Sequence, residues 1–214
     1  MKVFASWSGG KESSLACYRA MLSGFEVAYL LNFVDEEGNR SRSHGVPSYL
    51  VALQAEALGI PIVQVRTTWG EYERNMKDAV ATLKTEGVEG GVFGDIDIDE
   101  HRVWTEQICS EMEIEPISPL WGRNPEELMR EFVDEGFEAY VIATILGEQW
   151  LGRKIDTAFI NDMKQLEIHP CGESGEYHTF VTDGPLFKRG IALTDTKKIV
   201  RDGTWFLDIA GALT

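Results

Sequence analysis

The chain has 214 residues, a formal net charge of −15 and an aromatic content of 10%, and it contains no run of about 18 apolar residues that could cross a membrane. The negative charge disfavours sequence-independent binding of nucleic acid, because Lys and Arg supply most of the affinity for phosphate backbones. We therefore expect a globular protein with neither a nucleic acid nor a membrane as partner. The short apolar start, which ends in a glycine loop, does not have the pattern of a signal peptide. This indicates that Met1 is the true start of a cytoplasmic protein.

The first 120 residues alternate between short apolar runs and segments with helical spacing. Strands are predicted at 2–6, 27–34, 62–66, 91–94 and 115–118, and helices at 13–22, 47–58, 71–86 and 99–112. Repeated β–α units of this kind predict a parallel sheet with right-handed crossovers. The predicted fold class is therefore α/β and Rossmann-like.

The pattern changes after Trp121. Asn124 and Pro125 are typical of a helix start, with Asn as the N-cap and Pro at the first helical position. A helix to residue 136 and a strand over 139–144 are predicted next, whereas 147–184 is rich in Gly, Glu and aromatic residues and poorly periodic. We predict two domains, a nucleotide-binding domain over 1–120 and a smaller α+β domain over 121–214.

A glycine-rich segment separates the first predicted strand from the first predicted helix. At such a junction the first amide N–H groups of the helix have no partner within the helix, and the helix dipole adds partial positive charge. Glycine lets the backbone approach an anion closely. The sequence therefore predicts a cradle for phosphate groups. Its candidate residues are Ser6, Ser8, Gly9, Gly10, Lys11, Glu12, Ser13 and Ser14.

Residues 8–13 read Ser-Gly-Gly-Lys-Glu-Ser, which resembles the S-G-G-x-[DE]-S loop of the PP-loop, or N-type ATP pyrophosphatase, superfamily. The spacing differs from that of the Walker loop, in which four residues separate a glycine from the Gly-Lys pair. The resemblance implies that ATP is bound and split into AMP and pyrophosphate, with the loop holding the pyrophosphate. The alternative is an ordinary glycine-rich turn between a strand and a helix.

Further segments resemble the diphthine–ammonia ligase family, and the resemblance runs through essentially the whole chain. The segments that carry it are Gly94-Asp95-Ile96, His101-Arg102, Trp104, Glu106, Cys109, Pro119-Leu120-Trp121, Leu151-Gly152-Arg153 and the stretch from Pro170 to Phe180. The resemblance implies an adenine nucleotide alpha hydrolase-like fold and an ATP-dependent amide ligase of diphthamide biosynthesis. Adenylation of a carboxylate would be followed by displacement of AMP by ammonia. Free ammonium is the expected nitrogen source, because no N-terminal catalytic cysteine or glutaminase domain is apparent.

The late motif departs from that of family members that make diphthamide, which reads close to E-G-G-E-[FY]-E-T. Here Ser174 replaces the first Gly and His178 replaces the last Glu. The Gly-Asp-Ile and Pro-Leu-Trp segments look like a bacterial-type branch of the family. Two acceptors therefore stay open: diphthine on an elongation factor, and a small-molecule carboxylate.

Several residues outside the glycine loop are candidates for the nucleotide site. Lys11 is the candidate for stabilising phosphate charge. Gly94 and Asp95 follow a predicted strand, so Asp95 is a candidate ligand of Mg²⁺ or of the ribose, with helix capping as the alternative. His44 is a candidate for lining the nucleotide site, with a loop histidine without a role as the alternative. His101 and Arg102 are candidates for contacting phosphate or substrate, with an exposed helix start as the alternative.

The late glycine-rich motif supplies a second cluster. Its carboxylates can hold ammonium, orient magnesium or act as a base, and a histidine can accept a proton at neutral pH. The alternative is a tight turn with solvated acids. The candidate catalytic residues are Lys11, Glu173, Glu176 and His178, and the candidate substrate-binding residues are His101, Arg102, Glu173, Gly175, Glu176, Tyr177 and Thr179.

Other functions are compatible with the loop. Thiolation of a tRNA base is disfavoured by the acidity and by the absence of paired cysteines. A nucleotide-binding sensor without turnover, and a homo-oligomer, are left open. We expect Trp69, Trp104, Trp121 and Trp150 to serve packing, with a cage around a trimethylammonium group as the alternative.

Overall fold

The computed structural model describes residues 1–213, in which a parallel sheet is followed by an antiparallel sheet. The strands are β1 Lys2–Ser6, β2 Glu26–Val34, β3 Ile62–Arg66, β4 Gly90–Val92, β5 Glu115–Ile117, β6 Glu138–Thr144, β7 Tyr177–Asp183, β8 Ala192–Arg201 and β9 Thr204–Leu213. The helices are α1 Lys11–Leu22, α2 Ser48–Leu58, α3 Tyr72–Thr85, α4 Asp99–Met112, α5 Pro125–Asp134 and α6 Thr157–Gln165. Residue 214, the last of the predicted second domain, lies outside the described residues. Between residues 1 and 213, no helix has both the length and the apolar character needed to cross a membrane.

The first sheet has the order β3-β2-β1-β4-β5, and all of its neighbouring strands are parallel. The predicted α/β class is confirmed. Val3 and Ala5 of β1 pack into one apolar cluster and Phe4 into another, as the alternation of side chains along a strand requires. Strands β2 and β3 are added on one side of β1, and strands β4 and β5 on the other side, so the strand order reverses at β1. The crevice outside the carboxyl ends of β1 and β4 is the place where such sheets bind ligands.

The second sheet has the order β7-β6-β9-β8 and is antiparallel. Its edge strand β7 lies beside the glycine loop, because the amide of Val181 donates to the carbonyl of Gly9 at 3.0 Å. The buried Gln54 amide on α2 donates to both of these residues' carbonyls, at 2.7 and 2.9 Å. Leu15 of α1 and Phe132 of α5 belong to one apolar cluster. The two sheets are therefore packed together around the glycine loop, whereas a domain boundary near residue 120 stays a prediction.

Three helix starts differ from the predicted ones. Helix α1 begins at Lys11 rather than residue 13, with Gly10 at the N-cap. Pro47 is the N-cap of α2 and is not in its first turn. Helix α3 begins at Tyr72 after a turn of 3₁₀ helix, Trp69–Glu71, which explains why the predicted start at residue 71 was early.

The poorly periodic segment 147–184 contains regular structure that the sequence pattern did not predict. It includes α6 and the whole of β7. The carboxylate of Asp156 caps α6 by accepting from the amide of Phe159 at 2.8 Å. The helix has only nine residues, so its buried side chains, Phe159, Ile160 and Met163, form too short a repeat to stand out.

Candidate functional site

A cavity of about 280 Å³, the main cavity, lies at the carboxyl ends of β1 and β4. It is lined from both halves of the chain. Twelve predicted site residues line it: Ser6, Ser8, Lys11, Glu12, Ser13, His44, Gly94, Asp95, His101, Glu173, Tyr177 and His178. The glycine loop and the late glycine-rich motif, which are about 160 residues apart in sequence, therefore meet at one place.

The two glycines of the loop are required by close contacts. Gly9 has a φ of 84°, and a Cβ there would lie 2.6 Å from Oε1 of Gln54. A Cβ on Gly10 would lie 2.4 Å from Cε1 of His44. Both distances are shorter than any normal contact. A Cβ at either position would therefore displace the side chain of Gln54 or His44 from the loop, and the positive φ of Gly9 further favours glycine there.

The first turn of α1 leaves amide groups available for an anion. The amide of Ser14 donates to the carbonyl of Gly10 at 3.1 Å, and the amide of Lys11 donates to the hydroxyl of Thr179 at 3.1 Å. The amides of Glu12 and Ser13 have no acceptor within the described part of the chain. They lie where the helix dipole places positive potential, so this end of α1 is suited to a phosphate group.

Lys11 is buried beneath the cavity, with 4% of its side chain exposed. Its ammonium lies 2.6 Å from Oε1 of Glu12, donates to the carbonyl of Cys171 at 2.7 Å and stands 4.4 Å from the centre of the Tyr177 ring. Burial alone would lower the pKa of Lys11, but the charge of Glu12 and the neighbouring Tyr177 and Cys171 raise it above the ordinary value. The ammonium therefore stays protonated and is held in one position.

Three acidic residues, Glu12, Asp95 and Glu173, line the main cavity. Burial raises the pKa of Glu173 to about 8, and the negative charge of Glu12 adds to this increase while Lys11 opposes it. Burial also raises the pKa of Asp95, although His101, whose Nδ1 lies 3.6 Å from Oδ1, and a hydrogen bond from Thr105 oppose the change. The surroundings therefore favour the protonated form of these carboxyl groups, and a bound cation would favour their ionised form.

No group of three or more His, Cys, Asp or Glu side chains among residues 1–213 is arranged to hold a metal ion. Mg²⁺ usually takes one or two carboxylates from a protein and the rest of its oxygens from phosphates and water. Asp95, on the wall of the main cavity, fits such a partial role. Its carboxylate accepts from Thr105 rather than from a helix amide, so the alternative role of helix capping is not observed.

His44 and His178 stack against each other, with ring centres 4.7 Å apart and an interplanar angle of 30°. Nδ1 of His44 lies 3.2 Å from the carbonyl oxygen of Thr179, which can only accept a hydrogen bond. Burial, His178 and Lys11 hold the pKa of His44 well below its usual value. Burial and Lys11 likewise lower the pKa of His178. The neutral form of both rings is therefore favoured at pH 7.

Some predicted site residues do not line the main cavity. Arg102 is exposed, pairs with Glu106 at 2.6 Å and lies 5.2 Å from the centre of the Trp121 ring, as expected for an exposed helix start. The backbone carbonyl of Glu176 accepts from Thr144 at 2.8 Å, and its carboxylate is not among the lining groups. Gly9, Gly10, Ser14, Gly175 and Thr179 also lie outside the lining.

Other lining residues were not predicted from the sequence. Asn32 interrupts the apolar strand β2, and its amide donates to the carbonyl of Trp7 at 2.9 Å and to the hydroxyl of Ser41 at 3.1 Å. A lone amide in a buried strand was the signal that could have identified it. The ring centres of Tyr72 and Phe33 lie 4.4 Å apart. Burial, and to a smaller extent the charge of Asp95, raises the pKa of Tyr72 to about 12. None of the four tryptophans considered for a cage is part of the lining.

Comparisons with known proteins agree with the family resemblance. The protein-family model described as "Diphthamide synthase N-terminal domain" matches residues 1–116. The family model described as "Diphthamide synthase C-terminal domain" matches residues 124–213. Proteins named "Diphthine--ammonia ligase" from Rattus norvegicus and Homo sapiens are each 30% identical to this chain, over 98% of it and 89% of their own length.

A solved structure also resembles the chain. It is titled as the predicted subunit of tRNA methyltransferase from Methanocaldococcus jannaschii DSM, with 17% identity and a TM-score of 0.47 over 89% of this chain and 99% of its own. A similarity this low carries no conclusion about function. The two family models together with the relatives do show the family, and the chain belongs to the diphthamide synthase family.

Proposed function

We propose that the protein is a cytoplasmic, ATP-dependent amide ligase of the diphthine–ammonia ligase type. One observation carries the proposal: the unpartnered amides of the loop at the start of α1 and the acid-rich late motif line the same cavity. The relatives' name supports the reaction type. Adenylation needs a group that binds the phosphates, and amide transfer needs a group that exchanges protons. The loop and the acidic residues of the late motif would supply both in one cavity.

The first 120 residues are proposed to bind ATP, and the residues from 121 onward to cover it and supply acceptor-binding groups. The loop from Ser8 to Ser14 would hold the β- and γ-phosphates with its free amides. His44, Gly94, Asp95 and Ser6 would line the nucleotide beyond the phosphates. Lys11, fixed by its contact with Glu12, would place a permanent positive charge next to the leaving pyrophosphate.

The proposed reaction has two steps. An oxygen of the acceptor carboxylate attacks the α-phosphorus of ATP, and the bond from that phosphorus to pyrophosphate breaks. The nitrogen of ammonia then attacks the acyl carbon, and the bond from this carbon to the phosphate oxygen breaks, releasing AMP. Ammonium loses two protons in becoming the amide nitrogen. Neutral His178 is suited to accept a proton near neutral pH, and Glu173, with its pKa of about 8, can accept one only in its ionised form.

Mg²⁺ is proposed to bind together with the triphosphate, with Asp95 as the protein ligand. When bound, the ion would neutralise phosphate charge. Glu12 and Glu173 line the same cavity, and their ionised carboxylates would favour a cation there. Glu173 would alternatively hold the ammonium before its attack.

Two acceptors are proposed, one from the family membership and one from the positions at which this chain departs from the family's late motif. Diphthine on an elongation factor is the first candidate, because the relatives are named for it. A small-molecule carboxylate is the second, because Ser174 and His178 depart from the late motif of the members that make diphthamide. The adenylation chemistry is the same for both.

The test uses an acceptor whose carboxylate carries ¹⁸O. Incubation with ATP, ammonium and either the diphthine-carrying elongation factor or a panel of small carboxylic acids should give AMP, pyrophosphate and amide in equal amounts. One ¹⁸O should appear in the phosphate of AMP, because the carboxylate oxygen that attacks phosphorus leaves with it. AMP without ¹⁸O would mean simple hydrolysis. ATP binding without turnover under all acceptors would identify a nucleotide sensor and refute the ligase.

A further inference from the structure

A second cavity, the side cavity, lies next to the main one and has a volume of about 340 Å³. Loop 42–45, the end of β6, Gly175 and the beginning of β9 form its walls. Ser43, His44 and His178 line both cavities. The stacked histidine pair therefore stands between the two, and a molecule in the side cavity lies one side chain away from the proposed nucleotide site.

The two cavities differ in charge. Glu12, Asp95 and Glu173 line the main cavity, whereas no Asp or Glu between residues 1 and 213 lines the side cavity. Its one permanently charged residue in that part of the chain is Arg42. In a protein with a net charge of −15, a cavity with only a cation on its wall is a place where an anion is favoured.

Arg42 has hydrogen-bonding capacity that the described chain does not use. Its guanidinium lies 4.9 Å from the centre of the Trp69 ring, and its Nε is buried without a hydrogen-bond partner within residues 1–213. Arg40, two residues earlier, differs because it donates to the carbonyl of Gly45 at 2.7 Å and to Asp208 at 2.8 Å. Leaving a buried donor of a charged group unpaired is costly, and a carboxylate satisfies guanidinium donors in pairs.

We propose that the side cavity receives the carboxylic acid acceptor, with Arg42 as the anchor of the carboxylate before it moves past the His44–His178 pair to the α-phosphorus of ATP. This inference rests on the proposed ligase function and names its acceptor site. Ile145 and Phe206 line the same cavity and would contact the apolar stem of the acid. A volume of about 340 Å³ suits a small acid or one modified side chain rather than a larger structure.

The test begins with binding, independently of turnover. Butyrate carrying ¹³C in its carboxyl group is titrated by NMR into the protein with a non-hydrolysable ATP analogue, and neutral butyramide is the matched probe. Arg42→Gln should weaken butyrate binding at least tenfold without changing butyramide binding. Arg42→Lys should recover part of the affinity. Arg201→Gln, in the exposed β8–β9 hairpin, is the control and should bind butyrate like the parent. Equal butyrate affinity in the parent and in Arg42→Gln would overturn the inference.

Two further measurements separate the possible failures. If Arg42→Gln weakens the ATP analogue as much as butyrate, Arg42 serves the nucleotide and the acceptor site is wrong. In turnover, Arg42→Gln should raise KM for the acid at least tenfold with little change in kcat, with small acids and with the diphthine-carrying elongation factor measured in parallel arms. An unchanged KM overturns the acceptor site alone. Absence of turnover with every acid refutes the ligase function while leaving the binding result to decide whether Arg42 anchors a carboxylate.

Discussion

The hydroxyl of Thr179 accepts a hydrogen bond from the backbone amide of Lys11 at 3.1 Å, which connects β7 to the first turn of α1. The carbonyl of the same threonine faces Nδ1 of His44 at 3.2 Å. Thr179 therefore fixes the glycine loop and the histidine pair from the C-terminal sheet. The late motif acts here as a support for the loop as well as part of the cavity wall.

Thr179→Val should remove this support. The side chain is buried and similar in volume, so the change leaves the Lys11 amide without an acceptor and should cost about 1–3 kcal/mol in the free energy of unfolding. Because the loop loses its position, the KM for ATP should rise several-fold. Urea unfolding and pyrophosphate release measure the two effects.

Thr182→Val is the matched control for this prediction. Thr182 is also a buried threonine of β7, but its hydroxyl donates to the carbonyl of Glu138 at 3.3 Å, away from the loop. The control should lose stability without a change in KM for ATP. Equal KM values in both variants would show that the Thr179 bond does not position the loop.

Lys11→Met should abolish most of the activity and also destabilise the fold. Lys11 and Glu12 form a pair of which only 4% and 19% of the side chains are exposed, so removal of the lysine leaves a carboxylate poorly solvated. We expect a loss on the order of 3 kcal/mol in the free energy of unfolding. Pyrophosphate release should fall on the order of 100-fold, as for other groups that stabilise charge in a transition state.

The double variant Lys11→Met/Glu12→Gln separates the two effects. Without the unpaired carboxylate, most of the lost stability should return, whereas pyrophosphate release should stay low. A double variant as active as the parent would mean that Lys11 contributes only to folding. The comparison needs thermal unfolding and a turnover assay on the same preparations.

The fold was largely predictable because β–α periodicity in the first 117 residues is regular. Each of the five predicted strands of the parallel sheet is present within one or two residues of its predicted bounds. Helix α6 and the β8–β9 hairpin were not predicted, since α6 is short and the hairpin has mostly half-exposed or exposed residues. Their stability comes from packing against the rest of the molecule, which local patterns do not encode.

The site was predictable where its chemistry depends on local sequence. Ser8, Lys11, Glu12 and Ser13 of the glycine loop line the main cavity together with Glu173 and His178 of the late motif. Contact of Arg102 with phosphate or substrate stays a prediction, because the direction of its side chain depends on the exposed face of α4 and on the Trp121 ring. Arg42 was not predicted, because its isolation from carboxylates depends on the packing of β6 and β9 beside it.

Glu173→Gln should change how stability depends on pH. In the unfolded chain this carboxyl ionises near 4.5, whereas burial and Glu12 raise the pKa of Glu173 to about 8 in the fold. Between these values unfolding releases a proton, so the free energy of unfolding falls as the pH rises. Because the side chain keeps some contact with solvent, we expect the decrease to be on the order of 2 kcal/mol between pH 5.5 and 8.5. The glutamine variant should lack this decrease.

Urea unfolding at several pH values measures the effect, and the exposed Glu37→Gln is the control. The control should follow the parent over the whole range. Parallel curves for the parent and Glu173→Gln would show that Glu173 is ionised normally in the fold. In that case it could not exchange a proton near neutral pH, and His178 would be the remaining candidate.

The stacked histidines should make the protein sensitive to acid. Burial, His178 and Lys11 hold the pKa of His44 well below 6.5, so the unfolded chain takes up a proton that the folded chain does not. The stability present above pH 6.5 is therefore lost as the pH falls. Between pH 6.5 and 5 the loss due to His44 should reach up to about 2 kcal/mol, and His44→Gln should remove it.

The measurement is the difference in the free energy of unfolding between pH 7.5 and 5, not its value at one pH, because the substitution itself changes packing. His101→Gln is the control, since the side chain of His101 is 55% exposed and stands at the mouth of the same cavity. The control should lose as much stability on acidification as the parent. If His44→Gln loses as much stability on acidification as the parent and the His101→Gln control, His44 binds a proton normally in the fold. The histidine pair between the two cavities would then carry a positive charge in mild acid, and the affinity for butyrate at Arg42 should rise rather than stay constant as the pH is lowered to 5.5.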